Sequence, residues 1–451
     1  MKIQWLAKVA FGLSALLPLM DVSAETIRLD LHDAIERALN FDPRIAEKEK
    51  MIGVARGQLQ EAEGAESWIY DLNFFLGLAP KLKSNFFNSD GSFNSDSLSF
   101  DGVTPWYNLE FKVVRPLETF GKIEEYSKAA KNSIKIREWD VDVERAKIYI
   151  DVVRAYSGYL AARDIEAFLL DMKQKLEGAI EFVKSSMEDG EGSSTESDLH
   201  ALGSGVALIE RYVAQARGAQ RVAMTGLRLV TGTSTADTLE LADTRLITLP
   251  FPEESLKALQ RRAILQRPEM KQVEAGMAAR RALVAAENAN YYPNIYAGVG
   301  GVASIAPGRD RTDDFAVYDP FNTWGITPVV GIKWDLYAGV QDGRLSQAQA
   351  ELDALIEKKA FAQLGIPFQV AEQYHEVTAH RDMIAGLKKA SLSSRRWMTA
   401  AYADFEAGMD NSALTITALQ VYVTSYGDYL RVVNDYNVHV ASLRVATGEL
   451  K

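Results

Sequence analysis

Few groups in the chain could carry imidazole or thiolate chemistry. The 451-residue chain contains five histidines and no cysteine, which excludes disulfide bonds, thiolate metal sites and a cysteine nucleophile. His375 and His380 are five residues apart, about 500° around a helix, so they do not share a face as an i,i+4 metal-binding pair does. His32, His200 and His439 are isolated in the sequence. We therefore predict no metal site.

Two glycine-rich segments resemble ligand-binding or catalytic loops, but each lacks residues that the chemistry needs. The segment 190–194 has no lysine for a phosphate-binding loop. The segment 202–205 has neither the preceding strand nor the outer glycine spacing of a nucleophile elbow. Carboxylates are plentiful, but no pair forms an identifiable cleft pattern. The sequence predicts no catalytic residue and no cofactor, and we expect that the protein is not an enzyme.

Composition narrows the class of protein further. Hydrophobic residues make up 47% of the chain and charged residues 25%, which excludes disordered and collagen-like classes. The 50 lysine and arginine residues are outnumbered by 61 aspartate and glutamate residues, and the net charge is −11. A nucleic-acid partner is not expected, because phosphate neutralisation needs a cationic face.

Residues 1–24 have the pattern of a secretory signal peptide. Lys2 and Lys8 form a basic start, Val9–Met20 is nearly all apolar, and small residues end at Ala24, after which we expect cleavage. The apolar run has about a dozen residues, whereas a membrane-spanning helix needs roughly 20, so a permanent anchor is the less favoured alternative. Later windows are too polar for such a helix, so any insertion of the mature chain into a membrane requires a β-barrel.

A tandem repeat organises the rest of the chain. The segment Leu227–Gly232 recurs almost unchanged as Leu443–Gly448, and further matches keep their order along both halves. We predict a first repeat over 25–245 and a second over 246–451.

Each repeat contains two segments with the period of a β-strand. We predict strands at about 67–79, 104–116, 292–304 and 323–337. Leu72 and Phe74, for example, alternate with Asp71 and Asn73. The apolar face of the strands is expected to include Leu72, Leu109, Val330 and Ile332, with Asn108 on the polar face. Pro328 has no N–H for a ladder, which predicts a bulge or an edge strand.

Long helical hairpins follow the strands in each repeat, at about 120–231 and 341–447. Their longer arms would reach roughly 100 Å at 1.5 Å per residue. The return helices carry apolar residues at alternating spacings of three and four, which indicates a coiled-coil seam. The seam positions are Val206, Ile209, Val213, Ala216, Gln220, Ala223, Leu227 and Val230, then Ile416, Leu419, Val423, Tyr426, Leu430, Val433, Asn437 and Val440. Pro367 predicts a kink or a helix junction in the second long helix.

Four strands cannot close a membrane barrel alone, since the smallest such barrels have about eight. Closure would therefore require an oligomer. Aromatic residues cluster at the strand ends, where a membrane girdle would lie. These candidate girdle residues are Trp68, Tyr70, Trp106, Tyr107, Tyr291, Tyr292, Trp324, Trp334 and Tyr337. A soluble β-sandwich with an aromatic core is the less favoured alternative.

An ordered and duplicated set of short motifs resembles the TolC family of outer-membrane efflux proteins over essentially the whole mature chain. The matching residues are Leu31, Ala34, Ala38, Leu39, Asn40 and Pro43; Pro116, Leu117, Phe120, Gly121 and Ala130; Leu336, Gly339 and Ala348; Phe405, Gly408, Leu414, Thr417 and Leu419; and the Thr-Gly pair that ends each repeat. The resemblance implies a mixed α+β membrane protein. Three protomers would give four strands each to a twelve-stranded transmembrane β-barrel and four helical rods each to a periplasmic tunnel.

A function in transport follows from the same resemblance. It implies a porin-like duct in the outer membrane of a Gram-negative-type cell, with a periplasmic helical extension. A periplasmic adaptor and an inner-membrane pump, for efflux or type I secretion, would be its partners, together with outer-membrane lipid. The alternative is a periplasmic or secreted structural coiled-coil protein that spans no membrane.

The turns of the two hairpins are the candidate periplasmic aperture and adaptor-contact site. The family places acidic residues on the tunnel wall after the second turn, whereas this chain has Leu414 and Thr417 at those positions, so that feature cannot be transferred. The candidate residues are Gly190, Glu191, Glu196, Asp198, Gly408, Asp410, Leu414 and Thr417. Solvated helix turns capped by Ser193, Ser194 or Thr195 remain the alternative for the acidic residues.

Overall fold

The computed structural model describes residues 26–83, 85–95, 102–189, 195–312, 317–407, 409 and 412–449. The signal peptide predicted over 1–24 lies outside the described residues. Helices and strands follow in the order β1 (Thr26–Leu29), α1 (Leu31–Phe41), α2 (Pro43–Gly64), β2 (Ile69–Pro80), β3 (Val103–Glu118), α3 (Lys122–Asp189), α4 (Glu196–Thr231), β4 (Thr238–Leu241), α5 (Leu256–Gln266), α6 (Pro268–Ala289), β5 (Asn294–Ile305), β6 (Thr323–Lys333), α7 (Ala338–Glu406) and α8 (Ser412–Ala446).

Two compact units are assembled from segments that are distant in the sequence. One, here called the hairpin unit, contains the described parts of 1–42, 148–251 and 376–441. The other, here called the sheet unit, contains the described parts of 43–147, 252–375 and 442–451. Each unit therefore draws on both of the repeats that the sequence predicts.

The core of the hairpin unit is a helical seam. Apolar residues of α3, α4, α7 and α8 form one buried cluster, which includes Leu176, Leu202, Phe405 and Leu419. Some of the predicted seam positions belong to this cluster or pack against it. Other seam positions are buried farther along α4 and α8. Asn437 is a buried seam position. Its Oδ1 accepts from the backbone N–H of Leu249 at 2.8 Å and its Nδ2 donates to the Ile247 carbonyl at 2.8 Å, so its amide is satisfied.

Strands β1 and β4 form a short parallel pair in the hairpin unit. The pair joins the segment before α1 to the segment after α4. Thr26 is opposite Thr238 and Leu29 is opposite Leu241.

Helix α4 is capped at its C-terminus by Gly232, which has a φ of 62° and donates its N–H to the Arg228 carbonyl. This left-handed C-cap explains the glycine of the terminal Thr-Gly motif in the first repeat.

The sheet unit contains a four-stranded antiparallel sheet in the order β2-β3-β5-β6. Strands β2 and β3 pair from Ile69 opposite Val114 to Pro80 opposite Val103. Pro328 lies in β6, at the end of the sheet order, so the predicted edge position is confirmed. The register shift of the sheet lies instead between Pro116 and Glu118 of β3.

Of the two alternatives predicted at Pro367, a kink or a helix junction, the junction is wrong, because α7 runs from Ala338 to Glu406 with Pro367 inside it. Packing explains how the proline is accommodated. Ile366 and Val370 are buried on either side of it, and the Gln260 side chain donates to the Pro367 carbonyl at 3.0 Å. These contacts pack the proline on the helix, although they do not replace the N–H that it lacks.

Among the helices of the described residues, none combines the length and apolar character that crossing a bilayer requires.

Candidate functional site

One face of the four-stranded sheet is apolar and exposed. Leu72 is opposite Phe111, Phe74 is opposite Leu109, and the same row continues from Leu109 through Ala303 to Trp324. Because paired residues point to the same side of a sheet, the register extends this face over all four strands. Leu72, Val330 and Ile332 are 69%, 77% and 66% exposed. The four residues predicted to share an apolar face, Leu72, Leu109, Val330 and Ile332, do share it.

The height of this face matches the thickness of a hydrocarbon layer. In β2, every second residue from Tyr70 to Leu78 is apolar and exposed. Eight residue steps of about 3.3 Å span about 26 Å, close to the band of about 25 Å that membrane barrels present to lipid.

The other face carries charged, amide and small residues together with Phe75, Trp106 and Tyr296. Asp71 is opposite Lys112, and Asn73 is opposite Glu110. Asn108 lies on this face, as predicted, and donates from Nδ2 to Glu110 Oε1 at 2.9 Å. Its side chain is well packed, since the residue is only 5% exposed. The two faces therefore differ in chemistry as the sequence alternation predicted.

The register distributes the candidate girdle residues over two ends of the sheet. The start of β2, the end of β3, the start of β5 and the end of β6 meet at one end. Trp68, Tyr70, Tyr291, Tyr292, Trp334 and Tyr337 lie at or next to that end, and Trp106, Tyr107 and Trp324 lie towards the other. Two aromatic levels flanking an apolar band are typical of membrane-facing sheets.

Trp106 differs from the other candidate girdle residues. It is opposite Gly77 and shares the polar face with Asn108. Its Nε1 donates to Ser304 Oγ at 2.7 Å, and its ring packs edge-on against Phe321 with centroids 5.5 Å apart. Trp106 therefore lies on the polar face, whereas Tyr70, Tyr107 and Trp324 lie on the apolar face, and its place in a membrane girdle stays a prediction. Within the alternation over 104–116, Trp106 has an even number like Asn108, so the sequence alone already indicated the polar face for it.

The Phe-Gly pair before α3 makes a sharp turn from strand to helix. Phe120 and Gly121 both adopt left-handed backbone conformations, with φ of 53° and 82°. The Phe120 N–H donates to Glu118 Oε1 at 2.6 Å, and its ring stacks on Tyr292 with centroids 5.3 Å apart. Gly121 adopts its φ without steric cost, which explains why this motif precedes the helix.

At the hairpin turns, four of the candidate residues lie outside the described residues: Gly190, Glu191, Gly408 and Asp410. Thr195 is the N-cap of α4, so its predicted alternative role as a cap is confirmed. Glu196 follows it with an exposed side chain, 4.0 Å from His200 Nε2. Leu414 and Thr417 are exposed positions on the first turns of α8.

Asp198 ties the two hairpin turns together. Its Oδ2 accepts from the Thr195 N–H at 2.9 Å and from the Thr195 hydroxyl at 2.7 Å, which completes a capping box. Its Oδ1 accepts from the Ser412 N–H at 3.3 Å and from the Ser412 hydroxyl. Partial burial raises the pKa of Asp198, but the hydrogen bonds from Ser412 and Thr195 outweigh it and leave the pKa below its usual value. Sequence reasoning missed Ser412, although a serine at the start of a return helix is a capping signal.

Sequence and structure comparisons agree with this architecture. Residues 259–449 match the model of the outer membrane efflux protein family. The resemblance to the TolC family is confirmed. The match lies within the predicted second repeat, and the likeness of fold described next extends over 94% of the chain. No curated protein sequence matches the chain.

Solved outer-membrane channels share the fold of nearly the whole chain. The chain is similar to CusC, with a TM-score of 0.75 and 16% identity over 94% of this chain and 93% of that one. It is similar to the CmeC outer membrane channel of Campylobacter jejuni, with a TM-score of 0.74 and 13% identity over 93% and 85%. It is also similar to the outer membrane protein VceC of Vibrio cholerae, with a TM-score of 0.72 and 15% identity over 93% and 96%. The predicted fold class, helical hairpins combined with four strands per chain, is confirmed.

Proposed function

We propose that the protein is an outer-membrane duct of a tripartite efflux or type I secretion system. It conducts substrates passively from an inner-membrane pump and a periplasmic adaptor to the exterior. The observation that carries this proposal is the exposed apolar face of the four-stranded sheet, flanked by aromatic residues. An apolar face of this size would be unfavourable in water, and lipid is the solvent that suits it.

A homotrimer closes the sheet. Strands β2 and β6 stand at the two ends of the sheet order, and each presents backbone hydrogen-bonding groups along its outer edge. Within lipid such edges must be paired, because no water is present to satisfy them. Three copies supply twelve strands, which allows β6 of one protomer to pair with β2 of the next and leaves the polar face towards the lumen.

The helical hairpins form the periplasmic part of the duct, and their turns are the docking surface for the adaptor. Exposed side chains at Glu196, Leu414 and Thr417 are accessible there. The capping box and the Asp198 to Ser412 hydrogen bonds give this surface a defined backbone. The proposed partners are therefore an adaptor that contacts helix turns and a pump that the adaptor connects to the duct.

The alternative, a structural coiled-coil protein that spans no membrane, accounts for the helical seam but not for the sheet. It would leave apolar side chains such as Leu72 and Val330 in contact with water. The family that residues 259–449 match is one of outer membrane efflux proteins, which agrees with a duct and not with an enzyme.

Membrane fractionation tests the proposed function. After expression of the full chain with its leader, separation of inner and outer membranes should recover the mature protein in the outer-membrane fraction, in a form that needs detergent for extraction. Its migration on a denaturing gel should change on heating, as for folded membrane barrels. Recovery in the soluble periplasmic fraction, with no detergent requirement, would favour the structural coiled-coil alternative.

A further inference from the structure

Two histidines and a glutamate meet within the hairpin unit. Glu376 and His380 lie one turn apart on α7, and His439 lies on α8. The rings of His380 and His439 have centroids 4.8 Å apart and planes inclined by 40°. One ligand atom from each of the three side chains can lie within 4.8 Å of the other two. We propose that Glu376, His380 and His439 bind one divalent transition-metal ion of the zinc class.

The tautomer of His380 suits metal binding. Its Nδ1 lies 2.8 Å from the backbone carbonyl oxygen of Glu376. A carbonyl oxygen only accepts, so this hydrogen bond places the ring proton on Nδ1 and the lone pair on Nε2. Metal-binding histidines are commonly held by such a bond from their other ring nitrogen, which fixes the tautomer and the orientation of the ring. This leaves Nε2 of His380 as the ligand atom. Glu376 Oε2 lies 3.6 Å from Nδ1, so the carboxylate has to change rotamer to reach an ion on Nε2.

The three ligand side chains have to move closer together to bind an ion. A tetrahedral zinc ion with bonds of about 2.0–2.1 Å has ligand atoms about 3.3 Å apart. This is closer than the 4.8 Å within which one ligand atom of each side chain lies, so the three groups approach one another when the ion binds. The Glu376 side chain is 48% exposed and free to supply this movement by changing rotamer. The His380 side chain is 14% exposed and is held by its backbone hydrogen bond. The most constrained ligand is thus an imidazole, and the carboxylate adapts to it.

The donor set selects the class of metal. Two imidazoles and one carboxylate form a set that zinc accepts, with water in the fourth position. Nickel and copper also favour imidazole nitrogen, whereas calcium and magnesium favour all-oxygen sites. Glu376 with His380 alone would be an ordinary i,i+4 pair on a helix surface. His439 from the neighbouring helix is the feature that makes the cluster a binding site, and an ion held there would connect α7 to α8.

Calorimetric titration of the full mature protein in detergent with Zn²⁺ tests the site. The titration is run at roughly pH 7.5, above the usual histidine pKa of about 6.5. One Zn²⁺ per chain is expected. Substitutions His380→Gln and His439→Gln should each weaken binding at least about tenfold, since loss of even an outer-shell partner of a metal ligand costs 10- to 100-fold. The matched control is His375→Gln, a histidine of the same helix outside the cluster, which should bind as the wild type does.

Three further measurements keep the outcome decisive. Glu376→Gln changes an exposed side chain, so it tests the site even if a histidine substitution impairs folding, and the melting temperature of each variant without Zn²⁺ identifies such impairment. X-ray absorption at the zinc edge should show imidazole nitrogen at about 2.0–2.1 Å. Zinc affinity that is unchanged in His380→Gln and His439→Gln, or a loss of affinity equally large in His375→Gln, would overturn the assignment. So would a spectrum without imidazole scattering.

Discussion

Asp198 at the start of α4 accepts hydrogen bonds from both the backbone N–H and the hydroxyl of Ser412 at the start of α8. The same carboxylate completes the capping box with Thr195. A single acidic side chain therefore fixes the starts of two return helices relative to each other within the hairpin unit. Sequence reasoning placed Asp198 among the acidic residues of an aperture, whereas its contacts give it a structural role at the turns.

We predict that Asp198→Asn destabilises the hairpin unit by about 1–2 kcal/mol, because it weakens a cap and charge-assisted hydrogen bonds. Thermal unfolding of the purified variant measures this. Glu196→Gln is the matched control, and it should change Tm little, since Glu196 is exposed two residues earlier. A double-mutant cycle with Ser412→Ala should show coupling between positions 198 and 412. Additive effects of the two substitutions would contradict the contact.

The contribution of Asp198 should depend on pH. Its pKa in the folded protein lies below its usual value, so the stabilisation is fully present above the unfolded pKa of about 3.9 and is lost as pH falls through the folded value. The stability difference between wild type and Asp198→Asn should be constant above about pH 5 and shrink towards pH 3. A difference that grows on acidification would show that the carboxylate is destabilising in its folded environment.

Gly232 should be intolerant of a side chain. Its φ is 62°, and an added Cβ would lie 1.9 Å from the Phe41 ring. Gly232→Ala should cost at least about 1–2 kcal/mol from the left-handed backbone alone, with steric overlap in addition. Gly218→Ala is the matched control on the same helix, where nothing lies within 4 Å of the added Cβ, and it should be neutral or stabilising. If both variants melt alike, the packing of Phe41 on the α4 cap is not as described.

Lipid contact is tested by neighbouring residues on opposite faces of β2. Leu72→Arg places a charge on the apolar face and should cost about 2–4 kcal/mol if it lies near the bilayer midplane, whereas Asn73→Arg on the polar face should be tolerated. The yield of heat-modifiable protein in outer membranes measures both. Asn73 is a better control than Asn108, because Asn108 is buried and hydrogen-bonded. Equal losses from both substitutions would place the lipid face or the register elsewhere.

Acidic residues near the turns should affect ion selectivity. In a trimer each occurs three times around one axis, and a ring of like charges attracts cations within a screening length of about 10 Å at 0.1 M salt. Replacement of Glu191, Glu196 and Asp410 by Gln or Asn should reduce cation preference in bilayer conductance while trimer yield is unchanged. Asp198 is left intact because it holds the turns. An unaltered preference would mean that these carboxylates are solvated turn residues.

The sequence predicted those features that depend on local periodicity. Alternation in the strands placed Leu72, Leu109, Val330 and Ile332 on one face, and the register agrees because a period of two leaves only two choices. The heptad-like spacing of α4 and α8 likewise identified seam residues that are buried.

Features that depend on tertiary contacts were not predictable in the same way. The four-residue strands β1 and β4 carry too little periodicity to be recognised, and they pair across more than 200 residues. The helix junction predicted at Pro367, as an alternative to a kink, is wrong because local rules ignore the packing around Ile366 and Val370. The kink stays a prediction. His439 was judged isolated, and His380 was compared only with His375, because the contact between α7 and α8 that joins His380 to His439 is invisible in either helix alone.

The mass of the complex extracted from outer membranes tests the central claim most directly. Native mass spectrometry in detergent should give three times the mass of the mature chain, because four strands per chain require three copies to make a closed twelve-stranded sheet. A stable folded monomer with an intact sheet would contradict the proposal that this protein forms an outer-membrane duct.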